Sequence, residues 1–196
     1  MIAVTGIRSR IVEELRKLLP PEEEVVGFDG RDPDQLRRCQ RLFLCAGLLR
    51  PIQLLETSHA EFDDSIVVNL AAPMRICDFA LQHNEQIRIA LMGSESGFTW
   101  SHDGAYAAAK AALHRYVETK KLKPNQQLIC VAPSIIEDTG MTQRRTDTDN
   151  LEQRRLANPK QRFLKAAEVA KMIHFLLYVD EGYTTGTVVR MNGGPS

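Results

Sequence analysis

Residues 87–110 read IRIALMGSESGFTWSHDGAYAAAK, a stretch that holds both kinds of element from which the fold is built. Ile87 to Met92 is a short and almost entirely apolar run, which is typical of a strand buried on both faces. Ala105 to Lys120 repeats apolar side chains at the spacing of a helix. A strand followed closely by a helix is the unit of a parallel sheet that helices cover.

The same alternation runs from one end of the chain to the other. Further strands are predicted at residues 2–4, 25–28, 42–46, 127–132 and 186–191, and further helices at 11–19, 61–82 and 166–178. Because the composition does not shift along the 196 residues, we expect residues 1–196 to form a single α/β domain. The predicted fold class is a doubly wound parallel sheet in three layers, similar to a Rossmann fold.

Residues 134–165 interrupt the alternation with a long polar connection. They are charged and largely aperiodic, apart from a short helix predicted near residues 151–156. Connections of this length without regular structure are uncommon and are often functional. The segment therefore predicts a substrate-covering loop, which Thr139 and Met141 give a mixed polar and apolar lining.

The charge balance of the chain excludes two classes of partner. Lysine and arginine number 25, and aspartate and glutamate also number 25, so the net charge is zero. Without a long-range positive field, we expect no binding of nucleic acid or anionic lipid. No apolar run approaches the roughly 18 residues that span a bilayer, so we expect a soluble, untargeted, cytoplasmic protein with no membrane partner.

The cysteines and histidines give no indication of a metal site or of a disulfide framework. Cys39, Cys45, Cys77 and Cys130 are scattered without a CxxC pair, and three of them lie inside apolar stretches. Reduced thiols that act as small apolar side chains are therefore expected. The five histidines have no ligand spacing among themselves or with cysteine, so no metal is predicted.

Tyr106 and Lys110 form the centre of the predicted chemistry. They lie four residues apart, so on a helix the phenol and the ammonium emerge from one face, one turn apart. A tyrosine has a pKa of about 10 and is a poor acid or base at neutral pH, but a nearby ammonium favours the phenolate. Because such pairs also occur on solvated helix faces, this pair predicts a catalytic site only together with other residues.

Two polar residues supply that context. The strand within residues 89–97 delivers Ser94 to the carboxyl edge of the sheet, where open α/β sheets bind ligands. Asn69 lies in the predicted helix that precedes this strand. Structural alternatives stay open, since Asn69 can bond to a neighbouring carbonyl and Ser94 can be an ordinary turn residue. Ser96 is the alternative to Ser94 as the functional serine.

In this order, Asn69, Ser94, Tyr106 and Lys110 resemble the catalytic tetrad of the short-chain dehydrogenase/reductase family. The resemblance implies hydride transfer between NAD and a small alcohol or carbonyl substrate. It implies that Ser94 holds the substrate oxygen and that Tyr106 is the general acid/base. It further implies that Lys110 also binds the nicotinamide ribose and that Asn69 anchors a proton-relaying water. A homodimer or homotetramer is the assembly that the resemblance implies.

Other segments extend the resemblance over nearly the whole chain. Residues 44–47 (Leu-Cys-Ala-Gly) resemble the family's Asn-Ala-Gly turn, residues 131–134 (Val-Ala-Pro-Ser) its Pro-Gly turn, and residues 186–194 its closing strand. The cofactor-binding residues that it implies are Thr5, Gly6, Arg8, Ser9, Arg10, Ile11, Asp29, Cys45, Ala46, Gly47, Tyr106, Lys110, Pro133, Ser134 and Ile136.

The predicted cofactor loop departs from the family's Thr-Gly-x-x-x-Gly-x-Gly pattern. Thr5 and Gly6 match it, but Arg10 and Val12 stand where glycines let the backbone approach a pyrophosphate. Side chains there predict crowding, although arginine can also pair with a phosphate, and Ser9 and the helix N-terminus are available for an anion. The alternative function is therefore a non-catalytic binding or regulatory protein with weakened cofactor binding.

Asp29 favours NAD over NADP. At the end of the second strand, its carboxylate would accept hydrogen bonds from ribose hydroxyls and repel a 2′-phosphate. NADP stays possible, because Arg8, Arg10 and Arg31 are placed to reach a phosphate. Only about a dozen residues separate Asp29 from the strand at Leu42, too few for the strand-helix unit that the family usually has there.

Overall fold

The computed structural model describes residues 1–28, 32–50, 56–99 and 101–194. Within them, six strands form one parallel sheet. The strands are β1 (Ile2–Thr5), β2 (Val25–Gly27), β3 (Arg41–Leu44), β4 (Arg88–Met92), β5 (Gln127–Pro133) and β6 (Thr187–Met191). They lie in the order β2-β1-β3-β4-β5-β6, which confirms the predicted doubly wound sheet.

Helices cover both faces of this sheet. The helices are α1 (Arg10–Arg16), α2 (Pro33–Arg38), α3 (His59–Ile66), α4 (Ala72–His83), α5 (Gly104–Thr119), α6 (Gly140–Gln143), α7 (Thr148–Ala157) and α8 (Ala166–His174). One apolar cluster joins α1 and α8 to one face, and a second joins α2, α4 and α5 to the other. The three predicted layers are therefore confirmed.

The strands are apolar throughout because both of their faces are buried. In β4, Ile89 and Leu91 belong to the cluster with α4 and α5, whereas Ala90 and Met92 belong to the cluster with α1 and α8. Successive strand residues point to opposite faces of a sheet. A strand covered on both sides therefore reads as a continuous apolar run, which is how β4 and β5 could be predicted.

Residues 32–38 contain a helix that the sequence-based prediction missed. The Asp32 carboxylate accepts hydrogen bonds from Asp34 N at 3.0 Å and Gln35 N at 3.4 Å, which caps the first turn of α2. Leu36 is buried against the sheet. Among the described residues, α2 joins β2 to β3 without a further strand, in agreement with the short spacing noted in the sequence.

The helix predicted at residues 61–82 is not uniform. Between α3 and α4, residues 67–71 form a π-helical turn in which Ala72 N donates to Val67 O. Pro73 has no N–H to continue the regular ladder, and a wider turn accommodates that loss. The predicted helix is therefore present without a break from residue 59 to residue 83, and the prediction did not include its π-helical turn. The widened turn contains Asn69, which is fully buried.

The polar segment at residues 134–165 is more helical than predicted. It contains α6 and α7, and α7 begins three residues before the predicted start at residue 151. No residue of α7 is buried, so the helix has no apolar stripe from which its length could be predicted. Within the described part of the chain, none of the helices combines the length and the apolarity that a bilayer span needs.

Candidate active site

The strand order reverses at β1, where β2 lies on one side and β3 on the other. Open α/β sheets bind ligands outside the carboxyl ends of the strands at such a switch point. A cleft of about 1590 Å³ lies at this edge and includes residues from the loops that follow β1, β3, β4 and β5. Among the described residues, the predicted cofactor-binding residues line this cleft, with the exception of Thr5.

Ser94, Tyr106 and Lys110 meet in this cleft. The Ser94 side chain acts on the Tyr106 phenol and lowers its pKa. Lys110 Nζ lies 5.6 Å from the centroid of the Tyr106 ring and donates a 2.7 Å hydrogen bond to the main-chain oxygen of Met92. The end of β4 and one face of α5 therefore bring together three of the four residues predicted as catalytic. Ser94, rather than Ser96, is the serine that shifts the pKa of the phenol.

Burial governs the ionisation of Tyr106 and Lys110. It raises the pKa of the Tyr106 phenol, and the Ser94 side chain opposes this shift without reversing it. It lowers the pKa of Lys110 to about 8, because the buried ammonium has lost its water. The sequence predicted that the ammonium would favour the phenolate. Among the described residues, the groups that shift the pKa of Tyr106 are Ser94, Asp103 and Cys130 rather than Lys110. Burial raises that pKa, so Tyr106 stays protonated at neutral pH.

Asp103 fixes the start of α5 and was missed by the sequence-based prediction. Its Oδ1 accepts a 2.9 Å hydrogen bond from Tyr106 N, and its Oδ2 accepts a 3.0 Å hydrogen bond from Arg50 N. The side chain is buried. An aspartate just before an alanine-rich helix is an ordinary N-cap signal, so it could have been found. The carboxylate ties the helical turn that carries Tyr106 to the loop that follows β3.

Asn69 contacts the loop after β3 and does not line the cleft. Its Nδ2 donates to Leu48 O at 2.7 Å and to Ser65 O at 3.0 Å, and its Oδ1 accepts from Leu48 N at 3.0 Å. Both amide hydrogens are thus engaged by main-chain oxygens. Asn69 holds the main chain of Leu48 next to the cleft. Its role in anchoring a proton-relaying water stays a prediction.

Thr5 and Gly6 join the loop after β1 to the loop after β3. Thr5 Oγ1 accepts a 3.0 Å hydrogen bond from Ala46 N. Gly6 has a φ of 66°, and a Cβ at this position would lie 3.1 Å from Ala46 N. A side chain is therefore disfavoured by both the backbone conformation and the contact. Thr5 does not line the cleft but holds Ala46, which does, and Gly6 lines the cleft directly.

The two residues that replace family glycines point in different directions. Arg10 lies at the cleft, where its guanidinium pairs with Glu13 and Glu14 at 2.7 Å each. Val12 is fully buried between α1 and the sheet and does not line the cleft. The expectation that Val12 crowds a ligand was therefore wrong. Pairing of Arg10 with a phosphate stays a prediction.

Replacing Val12 by glycine is expected to destabilise the protein without tightening cofactor binding. The loss of a buried isopropyl group, together with a glycine inside α1, lowers the free energy of unfolding by about 3 kcal/mol. Urea unfolding measures this loss, and fluorescence titration with NADH and NADPH measures the affinity. Tighter binding of either nucleotide to the variant would contradict the assignment of Val12 to the core.

The remaining predicted residues lie along the rim and wall of the cleft. Ser9 caps α1, and its hydroxyl accepts a 3.2 Å hydrogen bond from Ile11 N. Asp29 lies outside the described residues, so its preference for NAD stays a prediction. The other predicted cofactor residues that line the cleft are Arg8, Ile11, Cys45, Ala46, Gly47, Pro133, Ser134 and Ile136.

Comparison with known sequences gives matches to acyl-carrier-protein reductases. Residues 32–196 match the family described as enoyl-(acyl carrier protein) reductase. The chain is 32% identical over 158 residues to the 3-oxoacyl-(acyl-carrier-protein) reductase MabA of Mycobacterium tuberculosis. It is also 32% identical over 161 residues to the corresponding enzyme FabG of Chlamydia trachomatis. Each match covers 76% of this chain, which spans 62% of the length of these curated relatives.

Comparison with solved structures supports the fold. The chain superposes with a TM-score of 0.83 on a protein from Brucella melitensis described as a short-chain dehydrogenase/reductase of the glucose/ribitol dehydrogenase type. The two share 21% sequence identity, and the match covers 98% of this chain and 95% of that one. At this identity the likeness concerns the fold alone.

Proposed function

The chain belongs to the short-chain dehydrogenase/reductase family, and on that premise we propose that it transfers a hydride between a nicotinamide dinucleotide and the carbonyl or alcohol carbon of a small substrate. The observation that carries the proposal is that Ser94, Tyr106 and Lys110 line the same cleft, with Lys110 Nζ 5.6 Å from the centroid of the Tyr106 ring. A proton donor and a second hydroxyl that lie together in one cleft can both reach a carbonyl oxygen bound between them.

The residues of the cleft fit a dinucleotide. One continuous cleft joins the loop after β1 to Tyr106 and Lys110, so a long ligand has a path between them. Gly6 keeps the loop after β1 free of a side chain where it meets the loop after β3. Residues 6–11 and 45–47 would hold the nucleotide portion, and residues 133–136 would lie along the nicotinamide portion. When bound, the nicotinamide supplies the hydride donor or acceptor.

The protein's own residues donate and accept the proton of the reaction. In the direction of reduction, Tyr106 donates its phenolic proton to the substrate oxygen while the carbonyl carbon receives the hydride, which gives the alcohol. Ser94 holds the same oxygen through its hydroxyl. Lys110 stabilises the phenolate that Tyr106 leaves behind, and solvent then returns the proton. In oxidation the phenolate takes the hydroxyl proton, and the same contacts act in reverse.

A 3-oxoacyl thioester is the substrate that we propose to test first. The curated relatives are named as 3-oxoacyl-(acyl-carrier-protein) reductases. Met141 and Phe163 contribute apolar lining to the cleft, and Arg144 and Arg154 contribute cationic lining. This combination suits an apolar acyl chain attached to an anionic carrier. It supports residues 134–165 as the substrate-binding segment.

A homodimer or homotetramer is part of the proposal. Phe62 and Val67 leave apolar side chains exposed on the helical segment that leads into α4. Exposed apolar groups of this kind are favoured at contacts between identical subunits.

Purified protein is expected to oxidise NADH or NADPH when acetoacetyl-coenzyme A is added. The loss of nicotinamide absorbance measures turnover, and fluorescence titration measures binding of each cofactor. A preference for NADH would agree with the role predicted for the Asp29 carboxylate, and a preference for NADPH would agree with the phosphate contacts predicted for Arg8, Arg10 and Arg31. Absence of binding of NADH and NADPH at millimolar cofactor concentration would contradict the proposal and favour the non-catalytic alternative.

A further inference from the structure

His114 is a buried histidine beneath the turn that carries Ser94. It follows Tyr106 by eight residues and Lys110 by four, so the three side chains share one face of α5. Its Nε2 accepts a 3.4 Å hydrogen bond from Ser94 N. The ring does not line the cleft, so any effect on the reaction passes through another residue.

Two glycines make room for this ring. A Cβ at Gly93 would lie 2.6 Å from His114 Nε2, and a Cβ at Gly97 would lie 2.5 Å from His114 Cε1. Atoms cannot approach so closely, so a side chain at either position would displace the imidazole. Phe98 stacks on the ring with the centroids 4.6 Å apart, which fixes its plane. The turn at residues 93–98 therefore packs around the imidazole, with the two glycines leaving the space that the ring occupies and Phe98 stacked on it.

The hydrogen bonds of the turn determine where the Ser94 hydroxyl lies. Ser94 N donates to His114, Ser94 O accepts from Gly97 N at 3.0 Å, and Ser94 Oγ accepts from Ser96 N at 3.2 Å. The last two bonds are internal to the turn. The bond to His114 connects the turn to α5, which carries Tyr106. His114 thus sets the position of Ser94 relative to the phenol.

A purely space-filling role does not explain an imidazole at this place. Burial, together with the charge of Lys110, lowers the pKa of His114 to about 4, so the ring is neutral at physiological pH. Because Nε2 accepts a bond, the ring proton is on Nδ1. Among the described residues, this buried Nδ1 has no hydrogen-bond partner. A leucine would fill the space without an unpaired polar atom.

We infer that His114 is a positioning residue, whose Nε2 holds the main chain of Ser94 so that the serine hydroxyl meets the substrate oxygen beside Tyr106. The inference rests on the proposed function, because it assigns the substrate contact to Ser94. It adds to that function a residue whose ring nitrogen, rather than its bulk alone, is required.

Two substitutions separate the ring nitrogen from the bulk of the ring. His114→Leu fills a similar volume and cannot accept the Ser94 hydrogen bond, whereas His114→Gln carries an amide oxygen at the reach of Nε2. We expect His114→Leu to lower kcat about tenfold with the KM for the cofactor unchanged, and His114→Gln to recover most of the loss. In a Ser94→Ala background, His114→Leu should not lower kcat further, because its effect acts through the serine hydroxyl.

Amide hydrogen exchange at Ser94 gives a second readout that does not depend on turnover. We expect exchange about tenfold faster in His114→Leu than in the wild type, with protection kept in His114→Gln. Unchanged exchange in His114→Leu, or equal losses of kcat with and without the Ser94 hydroxyl, would overturn the inference. Wild-type protein without turnover would defeat the proposed function, and the exchange at Ser94 would still decide whether His114 holds the turn.

Discussion

Replacing Tyr106 by phenylalanine is expected to lower kcat about 1000-fold in the acetoacetyl-coenzyme A assay. The substitution removes only the phenolic hydroxyl, which is the proposed proton donor and whose pKa the Ser94 side chain lowers. The ring is buried and its packing is kept, so the free energy of unfolding should change by no more than about 1 kcal/mol. Cofactor binding should persist in fluorescence titrations.

Tyr116→Phe is the matched control for this experiment. Tyr116 lies on the same helix, and its phenol is hydrogen-bonded to the surface residue Asp78, outside the cleft. The control should keep wild-type kcat. Turnover retained by Tyr106→Phe would eliminate the acid/base role, whereas equal losses in the two variants would indicate damage to α5 rather than loss of a proton donor.

The central strands could be predicted because their burial on both faces leaves a direct signal in the sequence. β4 and β5 are covered on both faces, so each appears as a continuous apolar run. The helix α2 was missed because, among its residues whose burial the structure describes, Leu36 is the one buried apolar residue. Its start depends on the Asp32 cap. The π-helical turn at residues 67–71 also escaped, since apolar spacing carries no information about a single widened turn.

The candidate site was predicted where its residues lie at the ends of predicted elements. Ser94 follows a strand and Tyr106 begins a helix, and the topology of a parallel sheet brings such ends to one edge. Asp103 and His114 act on main-chain amides, those of Tyr106 and Ser94. The Asp103 cap could have been predicted from its position before the helix, but the contact of His114 with a main-chain amide leaves no pattern in side-chain spacing. The burial of Val12 likewise depends on the packing of α8 against α1, which no local motif records.

Replacing Lys110 by methionine is expected to lower kcat about 100-fold and, at neutral pH, to raise the free energy of unfolding. The activity falls because the phenolate formed at Tyr106 loses its stabilising ammonium. The stability rises because methionine removes a cation that burial destabilises, as the lowered pKa of about 8 records. Lys120→Met, on the surface at the end of α5, is the control and should keep wild-type kcat.

The pH dependence of this stability difference tests whether Lys110 is a buried cation. Between pH 8 and pH 10.5 the unfolded chain holds a proton on Lys110 that the folded protein lacks, so the free energy of unfolding of the wild type rises with pH. Below about pH 8 both states hold the proton, and the full cost of burial, about 3 kcal/mol, opposes folding. The advantage of Lys110→Met should therefore shrink as the pH rises.

Urea unfolding of both proteins at several pH values between 7 and 10.5 measures this difference. The buried thiols of Cys45 and Cys130 have a pKa raised to about 11 and about 12, so they lower stability as the pH rises above 9. Lys110 lowers the pKa of both thiols, so its removal also changes their titration. Below about pH 9 the thiols stay protonated in the folded and unfolded states, and there the difference between the two proteins reports on Lys110. A difference that stays constant across this range would show that burial does not lower the pKa of Lys110.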